Sequence, residues 1–250
     1  MTWALVNASP DIRVQLAASP SLHPTAPRAS PIRSVLLTNG DIDHIAGLLT
    51  LREQQPFTVY STAEIAAVVR QNRIFDALNP DLVIWRAMEF DQPVEIAPGV
   101  TAEIFAVPGK VPLFLEEDDV QTDLEGGHTV GVRLAAGDAS AFYIPGCARV
   151  TDALANRLRG ADLVLFDGTV WQDDEMIGAG VGWKTGARMG HMAMQGSGGS
   201  LEALAELGVS RKVYVHMNNT NPVLDPATPE RRAVERAGWI VAEDGMELTL

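Results

Sequence analysis

The sequence predicts an α/β (α+β) fold in which two β-sheets are packed face to face with helices on the outside. Three observations carry that reading. Short apolar, β-branched runs recur along the whole chain. Strand-like runs dominate the first half, whereas strands and helix-spaced segments alternate in the second, which fits two sheets better than one doubly wound sheet. Of the 250 residues, 46% are hydrophobic and 20% charged, enough apolar material for one sizeable core and a single domain over residues 1–250.

Residues 3–7 and 33–38 read as the first two strands. Between them, residues 17–31 (AASPSLHPTAPRASP) carry four prolines, which forbid regular structure and predict a surface loop with His23 solvated. Strands are expected next at 57–61, 82–85, 101–107, 129–134 and 141–144, then at 162–166, 212–215, 239–242 and 246–250. Apolar residues three and four apart predict helices over 43–53, 62–70, 150–158, 200–207 and 229–237.

Charge and composition exclude several classes. Lys plus Arg number 19 and Asp plus Glu 32, a formal charge of −13, so no nucleic-acid partner and no attachment to anionic lipid is expected. No apolar run approaches the ~20 residues that span a bilayer. Asn7, Asp11, Arg13 and Gln15 interrupt the first twenty residues, which are therefore no signal peptide. A cytoplasmic location is expected. Cys147 is the one cysteine, which excludes an internal disulfide and a multi-cysteine zinc site.

Chemistry concentrates in residues 34–49 (SVLLTNGDIDHIAGLL), where an apolar strand runs into Asp41, Asp43 and His44 just ahead of a helix. Adjacent carboxylate and imidazole at such a corner can aim two donors at one point and suit Zn²⁺, Mn²⁺ or Fe²⁺. The same aspartates would serve as helix caps, and the local sequence leaves both roles open. Residues 178–199 hold eight glycines in 22 positions. That density implies either a surface loop or a backbone closely approached by a ligand. Trp183, Met189, Met192 and Met194 there could wall an aromatic ring, and Lys184 and Arg188 could hold peptide carboxylates. Asn218, Asn219 and Asn221 suit either peptide hydrogen bonding or turn formation. His128 reads as a turn residue and Asp173-Asp174-Glu175 as a solvated acidic turn.

The frame Leu37-Thr38-x-x-x-x-Asp43-His44-x-x-Gly47-Leu48 resembles the metallo-β-lactamase superfamily signature T-H-x-H-x-D-H-x-G-G-L, with Asn39 and Asp41 at the two histidine positions. Val107-Pro108-Gly109-Lys110 resembles the V-P-G-H-T turn, with Lys110 in place of a ligand histidine. Tyr143–Cys147 (YIPGC) resembles the strand ending in S-G-D, with Cys147 where a bridging aspartate would sit. Residues 211–216 (RKVYVH) resemble the strand that delivers the last histidine ligand, here His216. The segments NASPDIR, FAVPGKVPLFL, FDGT, KTGARMGHM and HMNNTNP are together similar to the PqqB family, which acts in synthesis of pyrroloquinoline quinone (PQQ), over about residues 3–250.

That resemblance implies an αββα sandwich of two mixed sheets with outer helices, lacking the first strands. Family members usually begin with a further strand pair and a Cys-x-Cys-x-x-Cys zinc knuckle, so no structural cysteine zinc site carries over. The expected start near the third strand would leave an unpaired edge prone to poor solubility or to pairing into a homodimer. The three-histidine metal position maps to Asn39, Asp41 and Lys110. An ammonium beside a dication is unfavourable, so that position is expected to be empty, with Lys110 paired to Asp41. The other position maps to Asp43, His44 and His216, a two-histidine, one-carboxylate set that favours one Fe²⁺ and also fits Zn²⁺. Cys147 would be either a thiolate ligand or a buried inert thiol. Similarity of FDGT and GHM to tRNase Z implies that Asp167 orients His191 for proton transfer, the alternative being a turn cap and an ordinary loop histidine. The implied activity is an iron-dependent, O₂-using hydroxylation of tyrosine in a Glu-Tyr unit. A soluble carrier of the quinone or its precursor and a two-metal hydrolase are the alternatives.

Overall fold

A computed structural model describes residues 2–52, 54–116 and 121–250. Its strands are β1 (Trp3–Val6), β2 (Ile32–Leu36), β3 (Phe57–Ser61), β4 (Val83–Ala87), β5 (Val94–Ala97), β6 (Val100–Gly109), β7 (Leu124–Ala136), β8 (Ala139–Ile144), β9 (Leu163–Asp167), β10 (Arg211–Val215) and β11 (Trp239–Val241). The helices are α1 (Ile12–Ala18), α2 (Ile42–Ile45), α3 (Ala63–Gln71), α4 (Asp152–Leu158), α5 (Glu175–Gly178), α6 (Gly186–Met189), α7 (Ser200–Ala203) and α8 (Pro229–Arg236).

Strands β1 to β4 lie side by side in one sheet, and the rest form a seven-stranded sheet in the order β11-β10-β9-β8-β7-β6-β5. Pairs in the smaller sheet are parallel. The larger sheet is parallel from β11 to β8 and antiparallel from β8 to β5, so mixing is confined to it. Strand β9 (LVLFD) is apolar for most of its length because both of its faces are covered. One core fills the space between the sheets, where Val35, Leu37 and Val59 meet Ile104, Val130 and Val132. A second lies on the outer face of the larger sheet, where Phe142, Phe166 and Tyr214 pack against Leu154, Leu158 and Val234. Thr62, Thr151 and Thr228 cap α3, α4 and α8, each accepting a backbone N–H on its side-chain oxygen.

Several boundaries differ from the sequence reading. Helix α1 was not expected, because Ile12 is its one buried residue and no apolar stripe marks it. Strand β5 is also new; it sits at the sheet edge in a segment (DQPVEIAPG) whose prolines and acids mask a strand pattern. Residues 246–250 form no strand. The helix expected at 43–53 is α2 followed by a 3₁₀ turn, Ala46–Leu49, and Glu53 lies outside the described residues. The one expected at 200–207 shortens to α7. His128 belongs to β7 rather than to a turn. Among the described residues no helix is long and apolar enough to cross a membrane.

Candidate metal centre

The site is assembled at the C-terminal ends of parallel strands, where side chains leaving neighbouring strands converge. From β2 the chain passes through Leu37–Asp41 into α2, which carries Asp43 and buried His44. The segment after β1 holds this corner in place. Asn7, itself in the left-handed region (φ 63°), donates to Thr38 Oγ1 at 2.9 Å and accepts the Thr38 N–H at 2.9 Å. Ala8 N–H donates to the His44 carbonyl at 2.7 Å. Gly47 completes the clamp, since a Cβ there would lie 2.3 Å from the Ser9 carbonyl oxygen.

Strands β9 and β10 pair in parallel with Asp167 opposite Val215, so the residue after β10, His216, emerges beside Asp167. His216 has φ 58°, a left-handed conformation that is costly for a side chain of this size and is held by its surroundings. Gly168 lets the turn after β9 pass close to β10: a Cβ there would lie 2.9 Å from Met194 Cε and 3.1 Å from the Val215 carbonyl oxygen.

Three imidazoles stack in a column. His44 and His216 have ring centroids 4.9 Å apart, and His216 and His191 5.3 Å apart. At the open end, Asp43 Oδ2 lies 3.0 Å from His216 Nε2 and 3.4 Å from His44 Nδ1. His44 Nδ1 is buried and makes no hydrogen bond. Two donors each about 2.1 Å from one ion stand roughly 3.4 Å apart in a tetrahedron, so these separations and the unpartnered nitrogen fit a divalent cation. A cavity of about 650 Å³ opens on these three residues and is lined also by Asn7, Tyr143 and Met217. Burial pushes the Tyr143 phenol up to about 12, so it faces the cavity as a neutral O–H.

Beneath this set Thr169 is the hub. Its hydroxyl donates to Asp167 Oδ1 at 2.7 Å. With that proton committed, Thr169 Oγ1 accepts from His216 Nδ1 at 2.9 Å. In the neutral ring this leaves the lone pair on Nε2 for an ion; with both nitrogens protonated, Nε2–H instead donates to Asp43 at 3.0 Å. Asp167 Oδ2 takes His191 Nδ1 at 2.7 Å and the Cys147 N–H at 2.9 Å. Asp167, His191 and His216 are themselves close enough to hold an ion, but both Asp167 oxygens are already engaged in hydrogen bonds.

The electrostatics follow the geometry. Burial works against an ionised Asp43, but the hydrogen bond from His216 and the charges of His44 and His216 hold its carboxyl well below the usual range. Burial opposes the charge of Asp167 too, and His191, His216 and Thr169 outweigh it. Burial alone would lower His216; the hydrogen bond to Asp43 and the charges of Asp167, Asp43 and Asp41 raise it.

The family model of the beta-lactamase superfamily domain matches residues 2–217. Coenzyme PQQ synthesis protein B of Methylobacterium sp. (strain 4-46) is 56% identical over 250 residues, covering 100% of this chain and 84% of that protein. The crystal structure of Zn²⁺-bound PqqB from Methylobacterium extorquens superposes with a TM-score of 0.98 at 53% identity, over 100% of this chain and 84% of that one. The chain belongs to the PqqB family of PQQ biosynthesis proteins. Human tRNase Z, short form, is similar in fold alone, with a TM-score of 0.58 at 15% identity over 97% of this chain and 86% of that one.

In this PqqB-family chain Lys110 is not paired with Asp41. The Lys110 ammonium lies 2.9 Å from Glu116 Oε1, brought there by the 3₁₀ turn Leu113–Leu115, while Asp41 Oδ1 accepts the Leu113 N–H at 2.9 Å. Lys184 and Arg188 each reach Glu116 Oε2 at 3.0 Å. Cys147 is buried, its thiol donating to the Arg149 carbonyl, and burial beside Asp167 pushes the thiol far up, against a thiolate ligand. Met192 and Met194 are core residues rather than a wall of the site, and Trp183 is exposed. Asn221 is buried, with its amide spent on the Gly168 carbonyl and the Val223 N–H, so it shapes the turn and is closed to a substrate. Asn218 caps the same turn by accepting the Asn219 N–H; Asn219 is exposed.

Three residues with parts in this arrangement escaped the sequence reading. For Thr169 the signal is a hydroxyl two residues past a buried strand-end aspartate. Glu116 was hidden in an acidic run. Glu175, expected to be solvated, is buried and takes the Trp171 N–H and the Thr220 hydroxyl at 2.6 Å each.

Proposed function

We propose that this chain is a mononuclear iron protein that uses O₂ to hydroxylate the tyrosine ring of a Glu-Tyr unit in PQQ synthesis. The observation that carries the reading is the set of Asp43 Oδ2, His44 Nδ1 and His216 Nε2, whose two-histidine, one-carboxylate chemistry leaves positions open for O₂ or substrate. The neighbouring position carries Asn39, Asp41 and Lys110, none of them an imidazole, and Asp41 Oδ1 is already engaged by the Leu113 N–H, a poor donor set for a second ion. The bound metal would supply O₂ activation.

The protein's own groups do the remainder. Thr169 holds His216 with Nε2 outward. Asp167 fixes His191 through Nδ1, so that His191 Nε2 is the nitrogen available to take or return a proton at the phenol. The Tyr143 hydroxyl offers a hydrogen bond along the cavity.

Anaerobic loading with Fe²⁺, followed by Glu-Tyr, ascorbate and O₂, tests the reading. Mass spectrometry is expected to find a gain of one oxygen atom on tyrosine. Iron bound without product overturns it. Two ions per chain with O₂-independent cleavage of an ester or amide would favour the hydrolase; tight binding of PQQ that survives His44→Ala would favour the carrier.

A further inference from the structure

Lys110, Lys184 and Arg188 converge on one carboxylate, Glu116, and all four side chains are largely buried, at 10%, 20%, 29% and 8% exposure. Among the described residues these three cations share that single anion. Two ammonium groups and a guanidinium gathered on one point form a strong carboxylate-binding set, and the carboxylate they hold can be exchanged for another.

The cluster abuts the metal corner on two sides. A Cβ on Gly190, the residue before His191, would lie 3.1 Å from the Lys110 side chain. The loop that carries Glu116 is tied to the corner by the Leu113–Asp41 hydrogen bond and by Pro112 against Gly40. The rim is apolar and exposed: Leu113, Phe114 and Leu115 on one side, Trp183 on the other. Lys184 and Arg188 lie over the Trp183 ring at 5.6 and 5.9 Å from its centroid.

We propose that Lys110, Lys184 and Arg188 form a carboxylate socket beside the metal corner, held in this state by Glu116, and that an acidic, aromatic peptide places its own carboxylate there in exchange. The socket stands on its own geometry; it rests on the proposed hydroxylase only in placing the peptide's ring toward Asp43, His44 and His216. The guanidinium and the two ammonium groups supply directional, charge-assisted bonds, and the apolar rim accepts the ring.

Calorimetry without O₂, on the whole chain, tests this with two probes that share the same α-amino group: L-glutamyl-L-tyrosine and its carboxylate-free counterpart L-glutaminyl-L-tyrosinamide. Wild type is expected to bind the dipeptide about tenfold more tightly than the diamide. Glu116→Gln is expected to tighten the dipeptide a further tenfold or so and leave the diamide unchanged, and Arg188→Gln to weaken the dipeptide by about the same factor. Equal affinity for the two probes, or a Glu116→Gln chain that binds the dipeptide no better, overturns the socket. If Glu116→Gln shows no cooperative melt, the wild-type comparison of the two probes decides alone. Oxygen gain on tyrosine without a carboxylate preference would sink the socket and leave the hydroxylase; the converse pattern would sink the hydroxylase and leave the socket.

Discussion

His216 Nε2 lies 3.0 Å from Asp43 Oδ2, joining residues 173 positions apart across the two sheets. The pair exists because the C-terminal ends of β2 and β10 open on the same cavity and because Thr169 turns the imidazole so that Nε2 looks outward. On the proposed reading, an ion held by Asp43, His44 and His216 would depend on a hydroxyl that is not among its ligands.

Thr169→Val keeps the shape and deletes that hydroxyl. The His216 ring loses the acceptor that sets its tautomer, and Asp167 loses a donor. Metal affinity is expected to fall about 10–100-fold in a chelator titration. The chain is expected to lose about 1–3 kcal/mol of stability from the under-satisfied buried carboxylate. Thr169→Ser should restore most of both.

Asp167→Asn replaces the carboxylate that fixes His191. Turnover is expected to fall by roughly 10²–10⁴ while metal content stays near that of wild type. Full activity with normal metal content would remove His191 from the reaction.

Glu116 controls a pH window. Burial raises its carboxyl, but Lys110, Lys184 and Arg188 outweigh burial and lower it from 4.5 to about 2. With the folded value below the unfolded one, the unfolded chain binds more protons in between. The stabilisation is complete above the unfolded value and is lost as pH falls through the folded one. Thermal melts of wild type are expected to drop steeply from about pH 5 downward, and those of Glu116→Gln to show a shallower slope over the same range.

Gly168→Ala would push a methyl group against Met194 and the Val215 carbonyl. It is expected to cost about 1–3 kcal/mol in urea unfolding and to weaken metal binding by shifting Thr169.

Most strands were legible in the sequence because their β-branched runs are bounded by turn residues; β3 lies at the expected residues and β9 and β10 within one position. Asp43 and His44 stood out because ionisable residues rarely crowd the end of an apolar strand, and His216 came from its likeness to a known strand. The partner of Lys110 was not legible. Asp41 and Glu116 are equally acidic on paper, and the choice between them turns on a single 3₁₀ turn that gives Asp41 a backbone partner and swings Glu116 inward. Thr169 was harder to read for a related reason: beside Asp167, two residues before it, its partners His191 and His216 come from separate segments that only packing unites.

Elemental analysis of the purified, metal-reconstituted chain tests the one-ion centre most directly. One ion per wild-type chain is expected, and close to none in His216→Ala. Two ions per wild-type chain, or an ion retained in full by His216→Ala, would contradict it.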